Sequence, residues 1–342
     1  MEMTPRERIL CALKLEEPDR VPYCESTIDP VVAAKLLDVE PPKELAEIAI
    51  FRRSVDEEKA LSQLLHRDNI SYRLIAPIFA EKLRGKDGRI FYGKGLIRSE
   101  KDLELLDFPD PYDDSLYAEA EEYASKKGEF ALIFSTRLGI SPTYLSLGME
   151  EFSYALYDNP QLVEKVMDAY CEWASAVIER ICQLDFDIIW SSDDLAWKAA
   201  PLFSPKFFHD IVVPKIRKIV EKITVLWVHH SDGNILPLLD DLIDLAVKGI
   251  HPIEPVAMNI NDVKKSYGDK VCLLGNIDVN TLSIGTPEQV EEEVKKRIKE
   301  IAPGGGYIVS SGNSITSYCE PKNVIAMAEA IQKYGKYPIS TD

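Results

Sequence analysis

None of the six cysteines of this 342-residue chain forms a Cys-x-x-Cys pair, and most of them lie in apolar segments. A reduced thiol in such a segment packs as a small hydrophobe, which argues against redox chemistry and against a zinc cage built from thiolates. The chain also lacks an apolar run of about 18 residues, the length that spans a membrane. Its first eight residues show no signal peptide. These absences predict a cytoplasmic protein with no membrane span.

Positive charge is scarce, since 40 Lys and Arg residues face 57 Asp and Glu residues and the net charge is −17. An acidic surface repels phosphate backbones, which excludes nucleic acid as the expected partner. No Gly-x-Gly-x-x-Gly follows a predicted strand, which argues against a dinucleotide-binding fold. What remains is a globular composition, 46% hydrophobic and 28% charged. Such a chain can bury a large core without disulfides or structural metals.

Apolar, β-rich runs alternate with helical patterns along nearly the whole chain. Several of these runs are continuous, as expected of strands that are covered on both faces. The alternation predicts a parallel sheet with right-handed crossovers, and eight such units predict an α/β fold of the closed (β/α)8 or TIM-barrel class. No linker divides residues 1–342, so we expect a single domain. The predicted strands are residues 21–25, 72–79, 130–136, 186–191, 225–229, 249–253, 271–274 and 307–310.

One segment departs from this alternation. Residues 82–97 place a turn at Lys86-Asp87-Gly88 between two short extended runs, which predicts a β-hairpin inserted after the second strand. Two helix starts are also marked by capping boxes, Thr4-Pro-Arg-Glu and Thr286-Pro-Glu-Gln.

Four of the five histidines, His209, His229, His230 and His251, lie in one stretch of the chain, three of them near predicted strand ends. In barrels of parallel strands, catalytic residues collect at the carboxyl ends of the strands. The polar residues expected there suit general acid–base catalysis or an oxygen- and nitrogen-rich metal site. They are Glu25, Arg137, Ser191, Ser192, Asp193, Asp194, His229, His230, Asp232, His251, Glu254, Asn276, Asp278, Ser311 and Asn313.

The spacing of Asp194, His209 and His230 suggests three ligands of a catalytic zinc site, with a fourth position left for water or substrate. The alternative is structural: Asp194 caps a loop, His209 is a surface helix residue and His230 is a hydrogen-bonded residue of the rim. His229 and His230 are adjacent on a strand, so only one of them can point into the mouth. His251 is predicted to be structural.

Three further residues have two readings each. Glu254 is either a buried functional carboxylate or a satisfied structural one. Arg137 either clamps a substrate carboxylate or pairs with a neighbouring acid. Tyr307 belongs to a set of aromatic residues that could wall an aromatic substrate or could simply pack; the others are Tyr144, Trp190, Trp197, Phe203 and Tyr318.

Residues 4–22 resemble the opening of the uroporphyrinogen decarboxylase-like superfamily. Four later segments resemble further landmarks of that superfamily, in the same order along nearly the whole chain. They are Gly-Met-Glu-Glu-Phe at 148–152, Asp-Asn-Pro-Gln-Leu at 158–162, Phe-Ser-Pro-Lys-Phe-Phe at 203–208 and Leu-Gly-Asn-Ile-Asp at 274–278. The resemblance implies a (β/α)8 barrel with its active site at the carboxyl ends of the strands.

The superfamily holds two main chemistries. The decarboxylases carry an Arg-Gln-Ala-Gly-Arg loop after the first strand, whereas this chain has the arginine-free Tyr-Cys-Glu-Ser-Thr-Ile-Asp-Pro at 23–30. Corrinoid-dependent methyltransferases acting on methanol, methylamines or thiol carriers hold zinc with a His-x-Cys pair and a distant Cys, and this chain has His230-Ser-Asp232 and Asn313 there. The closer resemblance is to the methyltransferases that demethylate aromatic methyl ethers, although His209 stands where that subgroup has a carboxylate.

The resemblance therefore implies an O-demethylase component that moves a methyl group from a methoxylated aromatic compound to the Co(I) corrinoid of a partner protein. It implies zinc held by Asp194, His209 and His230, with Asp194, His230 and Glu254 as the catalytic residues. Substrate contacts are expected from a further set: Asp232, Asn313, Arg137, His229 and Tyr307. A decarboxylase and a non-catalytic barrel that binds a corrinoid protein are the alternatives. The oligomeric state is open, a homodimer included.

Overall fold

A parallel sheet of seven strands is the centre of the computed structural model, which describes residues 2–42, 51–86 and 88–340. Neighbouring strands follow one another in chain order, and every adjacent pair is parallel. The sheet curls in the manner of a TIM-like barrel. Its strands are β1 (Asn69–Arg73), β4 (Ala131–Thr136), β5 (Ile188–Ser192), β6 (Leu226–His230), β7 (Gly249–His251), β8 (Cys272–Leu274) and β9 (Tyr307–Ile308).

The segment predicted as the first strand, residues 21–25, is extended but is not a regular strand of the described sheet. It lies between β9 and β1: the Cys24 N–H donates to the Val309 carbonyl at 3.0 Å, and the Asp68 N–H donates to the Tyr23 carbonyl at 2.8 Å. Towards β1 the regular ladder ends because the Glu25 N–H bonds to the Asn69 side chain instead of to backbone. The prediction of eight regular strands is corrected to seven and a bridging segment.

The predicted second strand, residues 72–79, also shifts. The observed β1 begins at Asn69 and ends at Arg73, because the residues that follow include Pro77, which has no N–H for a ladder. A separate antiparallel pair follows, formed by β2 (Ala80–Arg84) and β3 (Ile90–Gly95), with Lys82 opposite Tyr92. Of the turn predicted between them, Asp87 lies outside the described residues.

Helices surround the sheet, and both predicted capping boxes are present. Thr4 and Thr286 each accept from the third backbone N–H of their helix, and Glu7 and Gln289 bond back to the cap. The helices are α1 (Pro5–Leu13), α2 (Pro30–Leu37), α3 (Val55–Leu64), α4 (Ala118–Lys126), α5 (Ile140–Leu147), α6 (Met149–Asp158), α7 (Pro160–Ile181), α8 (Pro205–Phe207), α9 (Val213–Val220), α10 (Leu239–Asp244), α11 (Ile260–Tyr267), α12 (Val279–Ile284), α13 (Pro287–Ile301) and α14 (Pro321–Tyr334).

Two apolar layers enclose the sheet, because side chains along a strand alternate between its faces. Phe134, Ile189 and Trp227 belong to the large outer layer under the helices. The inner layer contains Ile133, Trp190, Val228, Leu274 and Ile308, and α1 adds Ile9, Ala12 and Leu13 to it. The amino end of the sheet is therefore filled by α1, and the carboxyl ends of the strands form the open end, which we call the mouth.

Among the residues that the structure describes, no helix combines the length and the apolar character that crossing a membrane requires.

Candidate functional site

The inward side chains change from apolar to polar where the strands reach the mouth. On β6 the inward residue Val228 is followed two positions later by His230, and on β5 Trp190 is followed by Ser192. Because a strand repeats every two residues, the polar side chain takes the same inward direction as the apolar one before it. The alternation along β6 therefore places the His230 side chain in the mouth.

The same alternation turns His229 away from the mouth. Its ring is fully buried in the outer layer, with Nδ1 at 2.8 Å from Ser191 Oγ and its ring edge against Trp227. Burial lowers the pKa of His229 to about 3, so the ring is neutral. The structure does not bring His229 to the substrate side, where the sequence interpretation had placed it.

Asp194, His230 and Asp232 come together at the ends of β5 and β6. One ligand atom from each lies within 4.8 Å of the others, and His230 Nε2 is 3.7 Å from both Asp194 Oδ1 and Asp232 Oδ1. The Asp232 N–H donates to Asp194 Oδ1 at 3.0 Å and ties the two loops together. We call these three residues the acidic cluster.

Asp232 is the least satisfied member of the acidic cluster. Its Oδ2 accepts from Asn313 Nδ2 at 2.7 Å, while its Oδ1 is buried and has no hydrogen-bond partner in the described structure. Burial raises the pKa of the Asp232 carboxyl; His230 opposes the shift, and Asp194 and Glu254 add to it. An unpartnered carboxylate oxygen among other acids is the arrangement that a cation relieves.

Glu254 lies beside this cluster, and its Oε2 accepts from the Gly233 N–H at 2.9 Å. Together with Asn313 it lines a side cavity of about 240 Å³. Glu254 is therefore adjacent to the acidic cluster but separate from the three atoms that converge.

His251 supports His230 directly, which the sequence interpretation missed. The two Nδ1 atoms are 2.7 Å apart and the rings stack with centroids at 4.9 Å. Burial lowers the pKa of His251 well below its ordinary value, with His230 contributing. A neutral His251 can accept the Nδ1 proton of His230, which leaves the Nε2 lone pair facing Asp194 and Asp232. Because β6 and β7 pair His230 with His251, aligning the two predicted strand ends would have revealed this contact.

The donor set fits a zinc ion. Atoms around tetrahedral zinc bound by nitrogen and oxygen are about 3.4 Å apart, close to the 3.7 Å separations from His230 Nε2 to the two carboxylates. The orphaned Asp232 Oδ1 supplies an oxygen with no other partner among the described residues. The acidic cluster thus offers two oxygens and one nitrogen that all lie within 4.8 Å of one another.

His209, the third predicted ligand, is not part of this group. It lies in a π-helical turn, Phe208–Val212, with its side chain 66% exposed and its Nδ1 2.7 Å from Asp241 Oδ1. That hydrogen bond raises the pKa of His209, which favours the protonated ring over the neutral ring that a metal needs. In the structure Asp232 takes the place that the sequence interpretation gave to His209.

Arg137 lines a cavity at the mouth with a volume of about 200 Å³, which it shares with Arg73 and His230. Its Nη1 is buried without a hydrogen-bond partner in the described structure. The other residues that line this cavity are mostly hydroxyl-bearing: Ser26, Thr27, Ile75, Ser135, Thr136, Ser192, Asn313 and Ser314. We call it the arginine cavity.

Tyr307 is the remaining predicted contact, and the structure places it elsewhere. It begins β9 rather than ending it, belongs to the outer layer, and is fully buried. Burial raises the pKa of its hydroxyl, while Arg297 of α13 opposes the shift and Glu293 of α13 adds to it. Tyr307 packs between sheet and helix.

The loops after β5 and β6 are held together by hydrogen bonds from backbone N–H groups to side chains and by a close approach at Gly233. The Leu195 N–H donates to Ser231 Oγ at 2.8 Å. Gly233 has φ +81°, and a Cβ there would lie 2.5 Å from the Trp197 carbonyl oxygen, so only glycine fits. Asp193 accepts from the N–H groups of Leu138 and Ser141. Asp194 and Asp232 therefore project from one joined support.

A curled parallel α/β sheet with acids and histidines at its carboxyl ends defines the general class, that of barrel-type proteins with a site at the mouth. A sequence model described as Uroporphyrinogen decarboxylase (URO-D) matches residues 86–334, well over half of the chain. The chain belongs to this family.

Curated relatives agree with that assignment. The chain is 27% identical to the uroporphyrinogen decarboxylase of Pseudoalteromonas translucida over 267 residues and 26% identical to that of Pseudoalteromonas atlantica over 264, in each case covering 70% of both chains. Among solved structures, a methyltransferase from Methanosarcina mazei superposes with a TM-score of 0.78 at 21% identity, over 97% of this chain and 99% of the other. That likeness establishes the shared fold.

Proposed function

We propose that this chain is a methyltransferase of the URO-D family that moves a methyl group from a methoxylated aromatic compound to the Co(I) corrinoid of a partner protein. The observation that carries the proposal is the acidic cluster: two carboxylates and one imidazole, supported by a second histidine, converge at the mouth. Hard oxygen ligands suit a metal that meets an ether oxygen rather than a thiolate.

The metal in this proposal is zinc, held by Asp194 Oδ1, His230 Nε2 and Asp232 Oδ1. When bound, zinc supplies Lewis acidity that stabilises negative charge on a departing phenolate oxygen. His251 keeps His230 in the tautomer that binds metal, and Asn313 fixes the Asp232 carboxylate through its 2.7 Å hydrogen bond.

The chain's own residues then bind and orient the substrate. Glu254 is the next carboxyl beside the cluster, and we assign to it the proton that the phenolate oxygen takes up once the methyl group has left. Arg137 contacts the substrate from the arginine cavity, which His230 joins to the cluster. The corrinoid, carried by a separate protein over the mouth, supplies the nucleophile that accepts the methyl group.

The same proposal includes the finer architecture. The bridging segment at 21–25 serves as the eighth member of a closed (β/α)8 barrel, the β2–β3 pair is an insertion after the second member, and residues 1–342 form one domain.

Decarboxylation is the second candidate, since the curated relatives carry that name. Against it stands the arginine-free loop at 23–30, which offers no cation to the many carboxylates of a porphyrinogen. Measured decarboxylation of uroporphyrinogen by the purified protein would replace our proposal.

The test is metal analysis of the purified full-length protein, followed by methyl transfer from 4-methoxybenzoate to cob(I)alamin. We expect about one zinc per chain and measurable transfer. His230→Ala should lose the zinc and lower transfer roughly 100-fold.

His209→Ala is the matched control because His209 is an exposed histidine outside the acidic cluster. It should retain both zinc and transfer. Absence of transfer from every methoxylated aromatic tried, with free corrinoid and with a candidate partner, would refute the function. Loss of zinc in His209→Ala would refute the ligand set.

A further inference from the structure

The hydroxyl of Ser231 connects the two loops that carry the carboxylates of the acidic cluster. Ser231 stands between His230 and Asp232 in the chain. Its Oγ accepts from the Leu195 N–H at 2.8 Å and donates to the Asp232 carbonyl at 2.9 Å. Leu195 directly follows Asp194. One side chain is therefore bonded to the residue after the first carboxylate and to the backbone of the second.

These two bonds leave the hydroxyl of Ser231 with a single orientation. A hydroxyl has only one proton to donate, and here the Asp232 carbonyl receives it, so only lone pairs remain for the Leu195 N–H. Ser231 and Leu195 are both fully buried, so bulk water does not reach either group. The Ser231 N–H donates to the His251 carbonyl at 3.0 Å. The backbone that carries the hydroxyl is thus itself fixed against β7.

The loop of Asp194 is held independently from its other side. The Asp194 N–H donates to Ser141 Oγ at 3.0 Å, and the Ser141 N–H donates to Asp193 Oδ1 at 2.8 Å. Ser141 belongs to α5 and is almost completely buried. The loop after β5 is therefore anchored on a helix, and the loop after β6 is attached to it.

Two further hydrogen bonds attach the loop of Asp232 to the loop of Asp194. The Asp232 N–H donates to Asp194 Oδ1 at 3.0 Å, and beyond the cluster the Asn234 N–H donates to the Trp197 carbonyl at 2.9 Å. The bond between Asn234 and Trp197 joins backbone groups and does not depend on any side chain. Removal of the Ser231 hydroxyl should therefore keep the loops together but loosen their spacing next to the carboxylates.

We propose that Ser231 is a positioning residue, which fixes the placement of Asp194 relative to Asp232 and thereby sets the metal affinity of the acidic cluster. This inference rests on the proposed function, in which the cluster holds zinc. Ser231 is not a catalytic residue, because it is buried and lines neither the arginine cavity nor the side cavity. Hydrogen bonds that orient metal ligands change metal affinity roughly 10- to 100-fold.

The experiment titrates full-length wild type and Ser231→Ala with Zn²⁺ against a competing chelator, and with Co²⁺ as a spectroscopic probe of the same site. Ser231→Ala should bind zinc roughly tenfold more weakly. Its bound cobalt should have a changed visible absorption spectrum, because the two carboxylates are no longer held at one spacing. A merely structural role would lower the stability of the protein without changing the spectrum of the bound cobalt.

Ser62→Ala is the matched control, because Ser62 is also fully buried and donates to a carbonyl, that of Asn69 at 2.7 Å. It lies beside Asp68 at the amino end, away from the acidic cluster. Ser62→Ala should be destabilised in urea but should keep the zinc affinity and the cobalt spectrum of the wild type. Equal changes in zinc affinity in both alanine variants would overturn the positioning role.

Ser231→Thr tests the hydroxyl itself, since threonine keeps this group. It should bind zinc more tightly than Ser231→Ala does. Zinc affinity no higher than that of Ser231→Ala would overturn the proposal, as would an unchanged cobalt spectrum in Ser231→Ala. A Ser231→Ala protein that circular dichroism shows to be unfolded would assign Ser231 to folding and would also overturn it.

These readouts need neither a corrinoid nor a methyl donor, so they separate the two proposals. Weaker zinc binding by Ser231→Ala, combined with no methyl transfer by the wild type, would keep the positioning role and remove the proposed reaction. Methyl transfer by the wild type, combined with unchanged zinc affinity in Ser231→Ala, would keep the reaction and remove the positioning role. A wild-type protein that binds neither zinc nor cobalt would remove both.

Discussion

The two ends of the sheet differ in how their buried charged side chains are paired. At the amino end Asp68 is fully buried and accepts from Arg8 at 2.6 Å, from Arg20 at 2.9 Å and from the Tyr23 N–H at 2.9 Å. At the mouth, Asp194 and Asp232 lie beside each other and Arg137 faces another arginine. At the amino end the buried acid is paired with arginines, whereas at the mouth the acids and the arginines lie in separate groups.

The difference separates stability from function. A buried carboxylate surrounded by two guanidinium groups needs no further ligand, so the amino end is complete as folded. At the mouth, Asp232 Oδ1 and Arg137 Nη1 are buried and have no hydrogen-bond partner among the described residues. In barrels of parallel strands the mouth is where catalytic groups lie.

The largest effect is expected from removing the buried charge of Asp68 at the amino end of the sheet. Asp68→Asn leaves Arg8 and Arg20 facing a neutral amide, and the free energy of unfolding should fall by about 3–5 kcal/mol. Urea denaturation of the wild type and the variant measures it. Zinc content should stay unchanged in the folded fraction.

Asp107→Asn is the matched control, because Asp107 is exposed, and its denaturation midpoint should equal that of the wild type. An Asp68→Asn protein as stable as this control would show that the amino end is not held by its charges.

A smaller effect per pH unit is expected at Glu25, a buried carboxylate whose oxygens accept from the N–H and hydroxyl of Ser311 rather than from an arginine. Burial raises the pKa of Glu25 from 4.5 to about 8. Between these pH values the folded chain keeps a proton that the unfolded chain has lost, so this contribution to stability is full below pH 4.5 and is lost as the pH rises towards 8. Relative to Glu25→Gln, the wild type should lose up to about 1.4 kcal/mol per pH unit in that window.

Urea denaturation of both proteins at several pH values between 4 and 9 provides the measurement. Parallel stability curves across that range would mean that Glu25 is ionised in the folded protein.

The smallest effect is expected at His251, which positions His230. His251→Asn should lower zinc affinity about tenfold by releasing the His230 tautomer, measured by competition with a chelator. His229→Asn is the control, because it removes a buried histidine of β6 that points to the outer layer. It should leave zinc affinity unchanged. If both variants lose zinc equally, the effect is general destabilisation rather than positioning.

The sequence predicted those parts of the molecule that follow from strand and helix periodicity. Capping boxes, the parallel sheet and the polar strand ends were visible, and the cluster partners Asp194 and His230 were both identified. The first two strands were misplaced because Asp68 and Asn69, which are polar, are buried through side-chain bonds that no hydrophobic pattern reveals. Propensity favours apolar strand residues and misses such exceptions.

The site was harder to predict because it depends on which loops meet. Spacing suggested His209, but the fold pairs it with Asp241 and brings Asp232 to His230 instead. Tyr307 was expected at the mouth, yet it begins its strand and points outward. Arg73 was not considered at all, since its part in the cavity arises from contacts between separate strands.

Gly233 has a consequence for attempts to redesign the substrate range. Any side chain at this position would collide with the Trp197 carbonyl, 2.5 Å from the new Cβ, and would force apart the two loops that present Asp194 and Asp232. A mutagenesis library for new substrates should therefore leave this joint untouched and diversify Thr27 and Ile75, which line the arginine cavity outside the acidic cluster. Under the proposed function, substrate preference can then be varied without changing the positions of the two carboxylates.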